Sequence, residues 1–344
     1  MEITQKMRDD AKTYPTSNAD KIMFCDLVSI LEELKPSRST AGKRKSKKSK
    51  IEILFNDSLL KRLDGHSPFP LVRLLAPICD RERPAYSIKE KVLAKLFCEA
   101  VGLDLKSEAA MALLKFNNAN HVPSGLGHTV GDFPAVLEGI LRTRSFNGKE
   151  LTIGQVNEHL DALSSSPSGV QRKAIIHQVY SQMNHTEIKW FARIVLKDLK
   201  IGVKHDKILG YIHKNGPGMF SMCSDLRLVL ATLRDPNVEY TYSLTLMQPF
   251  EPMLASTAYK YDCTNSMKNG FMVEWKYDGE RMLIHKDGDD IKCITRRGND
   301  YTKYYGNILG PMMRKYVHCE KCVLDGEGEC FQKKKILFLA VSTH

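Results

Sequence analysis

A change of hydrophobic period near residue 250 constrains this chain more than any other feature. Before it, apolar residues recur every three to four positions; after it, short runs alternate and end at glycine turns. Ile22, Phe24, Leu27, Ile30, Leu31 and Leu34 make the first helical stripe, which Pro36 breaks. From Ile51 to about residue 240 helix follows helix, with almost no two-residue alternation. Ser87 with Glu90, and Thr152 with Gln155, have the spacing of capping boxes. Thr186 and Ser224 stand where they can cap the runs bearing Trp190 and Leu228; Gly202 and Pro236 are expected to end those runs. The pattern predicts an all-α domain over residues 21–240, a linker over 241–249, and an α+β region with an antiparallel sheet over 250–344. Residues 1–20 are polar and aperiodic, which predicts a loose arm.

Two domains suit 344 residues, and 42% hydrophobic content is enough to fill two cores. The net charge of +11 favours a polyanionic partner over a membrane. Six of the eight residues Lys43–Lys50 are cations, within a basic loop over 37–50. That loop can be a solvated connection, a phosphate contact or a nuclear-import signal, and these readings are compatible. No apolar run is long enough for a membrane span, and Met1-Glu2-Ile3 does not open a signal peptide. Nine scattered cysteines suit reduced thiols of cytosol or nucleus. His318, Cys319 and Cys322, with Cys330 nearby, lack the second ligand pair a zinc site wants, so they read as thiols.

The chemistry concentrates in Glu274-Trp275-Lys276-Tyr277-Asp278-Gly279-Glu280-Arg281. Phe271–Val273 before it and Met282–His285 after it look like two strands, the second running into an Asp287-Gly288 turn. A lysine at a strand end can be desolvated and used as a nucleophile, and a nearby cation such as Arg281 favours its neutral amine. Ile291 to Thr295 is the next strand-like run, ending in Arg296-Arg297-Gly298, and Val323-Leu324-Asp325-Gly326-Glu327 follows.

These three segments, in this order, resemble the nucleotidyl-transfer motifs of ATP-dependent DNA ligases, RNA ligases and mRNA capping enzymes. Arg81–Glu90 and Lys197–Val203 are similar to segments of the helical DNA-binding domain of eukaryotic DNA ligases, closest to the ligase IV branch, and Phe250–Ala255 resembles the opening of their adenylylation domain. The resemblance implies that Lys276 takes AMP from ATP and passes it to a 5′-phosphate at a break in double-stranded DNA. Glu274 would meet the adenine, Arg281 the ribose or α-phosphate, and Arg296 is the second motif's arginine, with Arg297 beside it. Glu327 is matched to the ribose and Mg²⁺. Trp275 and Tyr277 alternate to the opposite face and would border the nucleotide through backbone or packing. Asp325 is read as a supporting position.

Double-strand break repair by non-homologous end joining in the nucleus is implied as well. So is a scaffold partner docking on a C-terminal region not contained in these residues. The family's adenine-stacking aromatic, second metal-binding acid and paired lysines are not found before His344. The chain is therefore expected to be truncated within the adenylylation domain and weakly active or inactive. Two rivals are weighed: a non-catalytic DNA-binding or regulatory fragment, and an RNA ligase or capping-type enzyme, against which the long helical domain argues.

Overall fold

The computed structural model describes residues 5–34, 52, 59, 62–83, 86–144, 148–235, 244–252, 270, 278–296, 298–331 and 335–343, with backbone alone from 329 onward. Two compact units emerge: one formed by Thr4–Pro217 with Asp225–Val238, the other by Met1–Ile3, Gly218–Ser224 and Glu239–His344.

The first unit is helical throughout its described residues. It begins with α1 (Gln5–Thr13), α2 (Ser17–Asp20) and α3 (Phe24–Glu33). Residues 5–20 are thus not the loose arm expected. Ala11 and Ala19 are buried, Arg8 pairs with Asp225 at 3.3 Å, and the Arg234 guanidinium lies 5.5 Å from the Tyr14 ring centroid. Polarity hid this helix because its buried contacts are alanines and a salt bridge rather than an apolar stripe. Then come α4 (Phe69–Leu75), α5 (Glu90–Val101), α6 (Glu108–Leu114), α7 (Phe133–Leu141), α8 (Ile153–Ser165) and α9 (Gly169–Gln182). The remaining helices are α10 (His185–Val195), α11 (His205–Ile212) and, after α12 (Gly216–Cys223), which belongs from Gly218 onward to the second unit, α13 (Leu226–Thr232). No described helix is long and apolar enough to cross a membrane.

Thr152 caps α8 in the capping box its sequence predicts, donating to Gln155 Oε1 at 2.9 Å and accepting from Gln155 N at 3.3 Å. The other three caps differ. Ser87 sits at φ +53 and α5 begins beyond it with Lys89 at the cap position. Asn184 rather than Thr186 caps α10, in a reciprocal box with Glu187. Asp225 rather than Ser224 caps α13, accepting from Leu228 N at 2.9 Å. At α10 and α13 an asparagine or aspartate close to the threonine or serine takes the cap, whereas α5 has no side-chain cap. Helix α10 also ends at Val195, so Lys197–Lys204 lie beyond it, and Lys197, Lys200 and Gly202 take left-handed φ values of 56, 52 and 72.

Helix α10 is the centre of this unit: every residue from Glu187 to Val195 is buried. Its amphipathic pattern is incomplete, because Lys189 has no exposed surface at all. Burying an ammonium is costly unless it is paired. Lys189 Nζ pairs with Glu32 on α3 and with Glu138 on α7, the latter at 2.8 Å, and Trp190 Nε1 donates to the same Glu32 at 2.6 Å. A second charged set, buried at Arg73, Asp80 and Arg83 and open to solvent at Asp161, joins α4 to α8. Arg73 Nε donates to Asp80 at 2.8 Å, Arg83 Nε to Asp161 at 2.7 Å and Arg83 Nη2 to Asn157 at 3.0 Å.

The second unit is a four-stranded antiparallel sheet in the order β2-β1-β3-β4, where β1 is Glu280–Asp287, β2 Asp290–Thr295, β3 Lys321–Phe331 and β4 Lys335–Thr343. Gly288 (φ +58) and Asp289 form the two-residue turn between β1 and β2, so the Asp-Gly signal is read correctly. Helix α14 (Thr302–Tyr316) covers one face, where Leu309 and Met313 pack on Met282, Ile284, Cys293 and Leu324. The opposite face buries Leu283, Ile294 and Val323 under Phe250 and Leu246. Residues 244–250 are therefore part of this unit and not a free linker. Met247 N donates to His285 Nδ1 at 3.2 Å while Lys292 Nζ donates to Met247 O at 3.1 Å.

Replacing Lys189 by methionine leaves Glu32 and Glu138 without their cation. This should cost about 3 kcal/mol of unfolding free energy, read from urea denaturation, and adding Glu138→Gln should recover part of the loss.

Candidate active site

The β1–β3 ladder sets Arg281 opposite Glu327 and Leu283 opposite Asp325. Because side chains alternate, Arg281, Asp325 and Glu327 emerge on one face of the sheet, at one end, above the apolar patch of Leu283, Ile294 and Val323. On the other side of β1, Met282 pairs with Thr295, which brings Arg296 to the same end directly after β2. Residues 44 to 46 positions apart thus meet through register alone. The register of β3 against β4 shifts between Asp325 and Gly326, a bulge that bends the strand beside these carboxylates.

Arg281 grips Asp325 as a fork. Its Nε donates to Oδ1 at 2.8 Å and its Nη2 donates to Oδ2. Asp325 is buried, and this pairing, with Glu327 adding its charge, raises the guanidinium above its ordinary value. Two donors of the guanidinium are committed; the others remain for another oxyanion. Glu327 is half-buried and carries no hydrogen bond or ion pair among the described residues, so its carboxylate can meet a ribose hydroxyl or a hard cation. Arg296 is exposed. Lys276, Glu274, Trp275, Tyr277 and Arg297 lie outside the described residues; Asp278 and Glu280 are described and exposed.

Sequence reasoning treats Arg281 as a ligand contact and as a cation beside the lysine, and Asp325 as support, and so misses that the two hold each other. It also misses His285. This imidazole is fully buried on the same face as Arg281 and Leu283, edge-on to Phe250 with ring centroids 5.8 Å apart. A histidine flanked by apolar strand residues and facing inward is the available signal. Burial first, and then the Lys292 charge, lower its pKa to about 4.

The chain thus holds a helical unit and a sheet that gathers an arginine and two carboxylates at one end of one face. Residues 23–213 match the family described as "DNA ligase N terminus", and residues 252–344 match "ATP dependent DNA ligase domain". The chain belongs to the ATP-dependent DNA ligase family. Its matched helical domain separates it from the RNA ligases and capping enzymes that share the motifs. It is similar to DNA ligase 4 of Homo sapiens, 33% identical over 341 residues, covering 94% of this chain and 37% of that protein. DNA ligase 4 of Gallus gallus is 33% identical, with 93% and 36% covered, and that of Dictyostelium discoideum 30%, with 92% and 31% covered. The chain thus spans about a third of the length of these relatives. A solved structure named Pmar-Lig_PreS3 aligns at 14% identity over 73% of this chain and 56% of that one; its TM-score of 0.38 supports no argument.

His285 makes a pH prediction. The folded protein holds it neutral down to about pH 4, whereas the unfolded chain takes up the proton near pH 6.5. The unfolded state therefore binds more protons between those values, and stability rises with pH through that window. This group's contribution should be complete above about pH 6.5 and fall by up to about 3 kcal/mol towards pH 4. In urea unfolding across that range, His285→Gln should remove this part of the slope.

Proposed function

We propose that this protein seals breaks in double-stranded DNA with ATP, in the manner of the DNA ligase 4 proteins it resembles, through AMP carried on Lys276. The observation that carries the reading is the gathering of Arg281, Asp325 and Glu327, from the first and third motifs, on one face of the sheet, with Arg296 of the second motif beside them. Lys276 Nζ attacks the α-phosphorus of ATP, a P–N bond forms, and pyrophosphate leaves. The adenylyl group then passes to a 5′-phosphate, and a 3′-hydroxyl displaces AMP to close the strand. Phosphoryl transfer of this kind rests on positioning and charge neutralisation.

The residues divide that work. Arg281, braced by Asp325, turns its remaining donors to the ribose or α-phosphate, and Arg296 adds a second cation from the adjoining strand. Glu274 meets the adenine, and Trp275 and Tyr277 border the nucleotide. Glu327 accepts from a ribose hydroxyl and is the described carboxylate of this face suited to Mg²⁺, because Asp325 is committed to Arg281. When bound, Mg²⁺ neutralises the charge that builds on the phosphate oxygens. The helical unit, in a chain of net charge +11, supplies backbone affinity for the duplex. Action in the nucleus, in end joining of double-strand breaks with a scaffold partner docked outside these residues, completes the proposal.

A second reading is favoured by the share of the relatives that the chain covers, 37% of the human protein. In that reading residues 1–344 are a non-catalytic DNA-binding or regulatory fragment and do not transfer AMP. Incubation with α-labelled ATP and Mg²⁺ distinguishes the two. Label attached to Lys276 and lost in Lys276→Ala supports transfer, at a low rate for residues 1–344 alone. Label that persists in Lys276→Ala overturns the assignment of the nucleophile. Nicked-duplex binding that survives this substitution without any labelling selects the second reading.

A further inference from the structure

The ligase reading leaves one motif unused: His318-Cys319-Glu320-Lys321-Cys322, the connection from α14 into β3. Lys286 fastens both cysteines to β1. Its Cα pairs with that of Cys322 across the β1–β3 ladder, and its Nζ donates to the Cys319 carbonyl at 2.7 Å. One residue further along, Gly288 N donates to the Glu320 carbonyl at 2.9 Å. The chain bends at Glu320, with Cys319 and Cys322 three residues apart on either side of it; burial first, and then the neighbouring Cys319, push the Cys322 thiol up to about 11. Cys319 is exposed, while Cys322 is half-buried against the core beneath α14. Of the other cysteines with described side chains, Cys25 is half-buried and Cys79, Cys98, Cys223 and Cys293 are buried. This pair therefore combines access to a soluble oxidant with a second thiol three residues away across one bend.

We propose that Cys319 and Cys322 form a reversible disulfide that locks the turn leading into β3. The inference does not depend on the ligase assignment. With oxidised glutathione as the oxidant, the Cys319 thiolate attacks one sulfur of the glutathione disulfide, and one glutathione thiolate leaves. Cys322 then gives up its proton and attacks the Cys319 sulfur, releasing the second glutathione. Two protein thiols lose two electrons and two protons, and one glutathione disulfide becomes two glutathiones. The exposed thiol is the one that starts the exchange, and its partner, shielded against the core, resolves it. Asp325 and Glu327 lie three and five residues beyond Cys322 on the same strand, so the bond anchors the strand that carries both carboxylates. The loop it closes is short, so it constrains this turn and adds little to global stability.

Oxidation of the full chain with glutathione disulfide, followed by alkylation, trypsin digestion and mass spectrometry, tests the proposal. Trypsin cuts after Lys321, between the two cysteines, so the disulfide appears as peptide 316–321 linked to peptide 322–333. Alkylation of Cys319 and Cys322 should fall together by about tenfold and return fully with dithiothreitol. Cys319→Ser should leave Cys322 alkylated, and Cys330→Ser should leave the linkage unchanged. Full alkylation of both cysteines, a stable glutathione adduct on Cys319, or a link from Cys319 to any other cysteine would overturn it.

Discussion

The fork between Arg281 and Asp325 is the interaction on which the candidate site depends. A guanidinium at the end of a strand is free to sweep many orientations, and holding it still costs side-chain entropy. Asp325 removes that freedom through two parallel hydrogen bonds, and its own charge is stable in a buried place only because Arg281 is there. Each residue explains the other. What the pair leaves over defines the chemistry: unused donors on the arginine, and Glu327 beside it with no competing partner among the described residues.

The same economy of buried charge recurs in the helical unit. Lys189 lies wholly inside, held by carboxylates from two other helices, and Arg73 and Arg83 share Asp80 and Asp161. Such networks specify which helices neighbour which, since any other arrangement strands a charge in a low-dielectric interior. A basic chain thereby spends part of its positive charge on its own architecture. Arg73, Arg83 and Lys189 are committed inside the fold, whereas Arg296 stays exposed.

Much of this was legible in the sequence, and the limits have physical causes. Helical stripes such as Leu160 and Leu163 on α8, and the Asp287-Gly288 turn, depend on local spacing, so the pattern reveals them. The caps at Asn184 and Asp225 eluded it because neighbouring polar residues differ by fractions of a kcal/mol, below what spacing resolves. The ordered helix over Gln5–Thr13 eluded it because alanine and an ion pair leave no hydrophobic signature. Alternation placed Asp325 and Glu327 on a common face, but the match of Arg281 to Asp325 requires the register of strands 44 residues apart. No single-strand pattern contains that register. His285 was hidden for a different reason: its burial depends on residues 246–250 folding back across the sheet.

The central claim is that Arg281 and Asp325 fix one another and thereby organise the face that carries Glu327. A double-mutant cycle on unfolding free energy, using Arg281→Ala, Asp325→Ala and the pair, measures that coupling directly. The account predicts an interaction energy of about 2 kcal/mol, with the double substitution costing clearly less than the two single ones combined. Additive costs, with no coupling beyond about 0.5 kcal/mol, would contradict it.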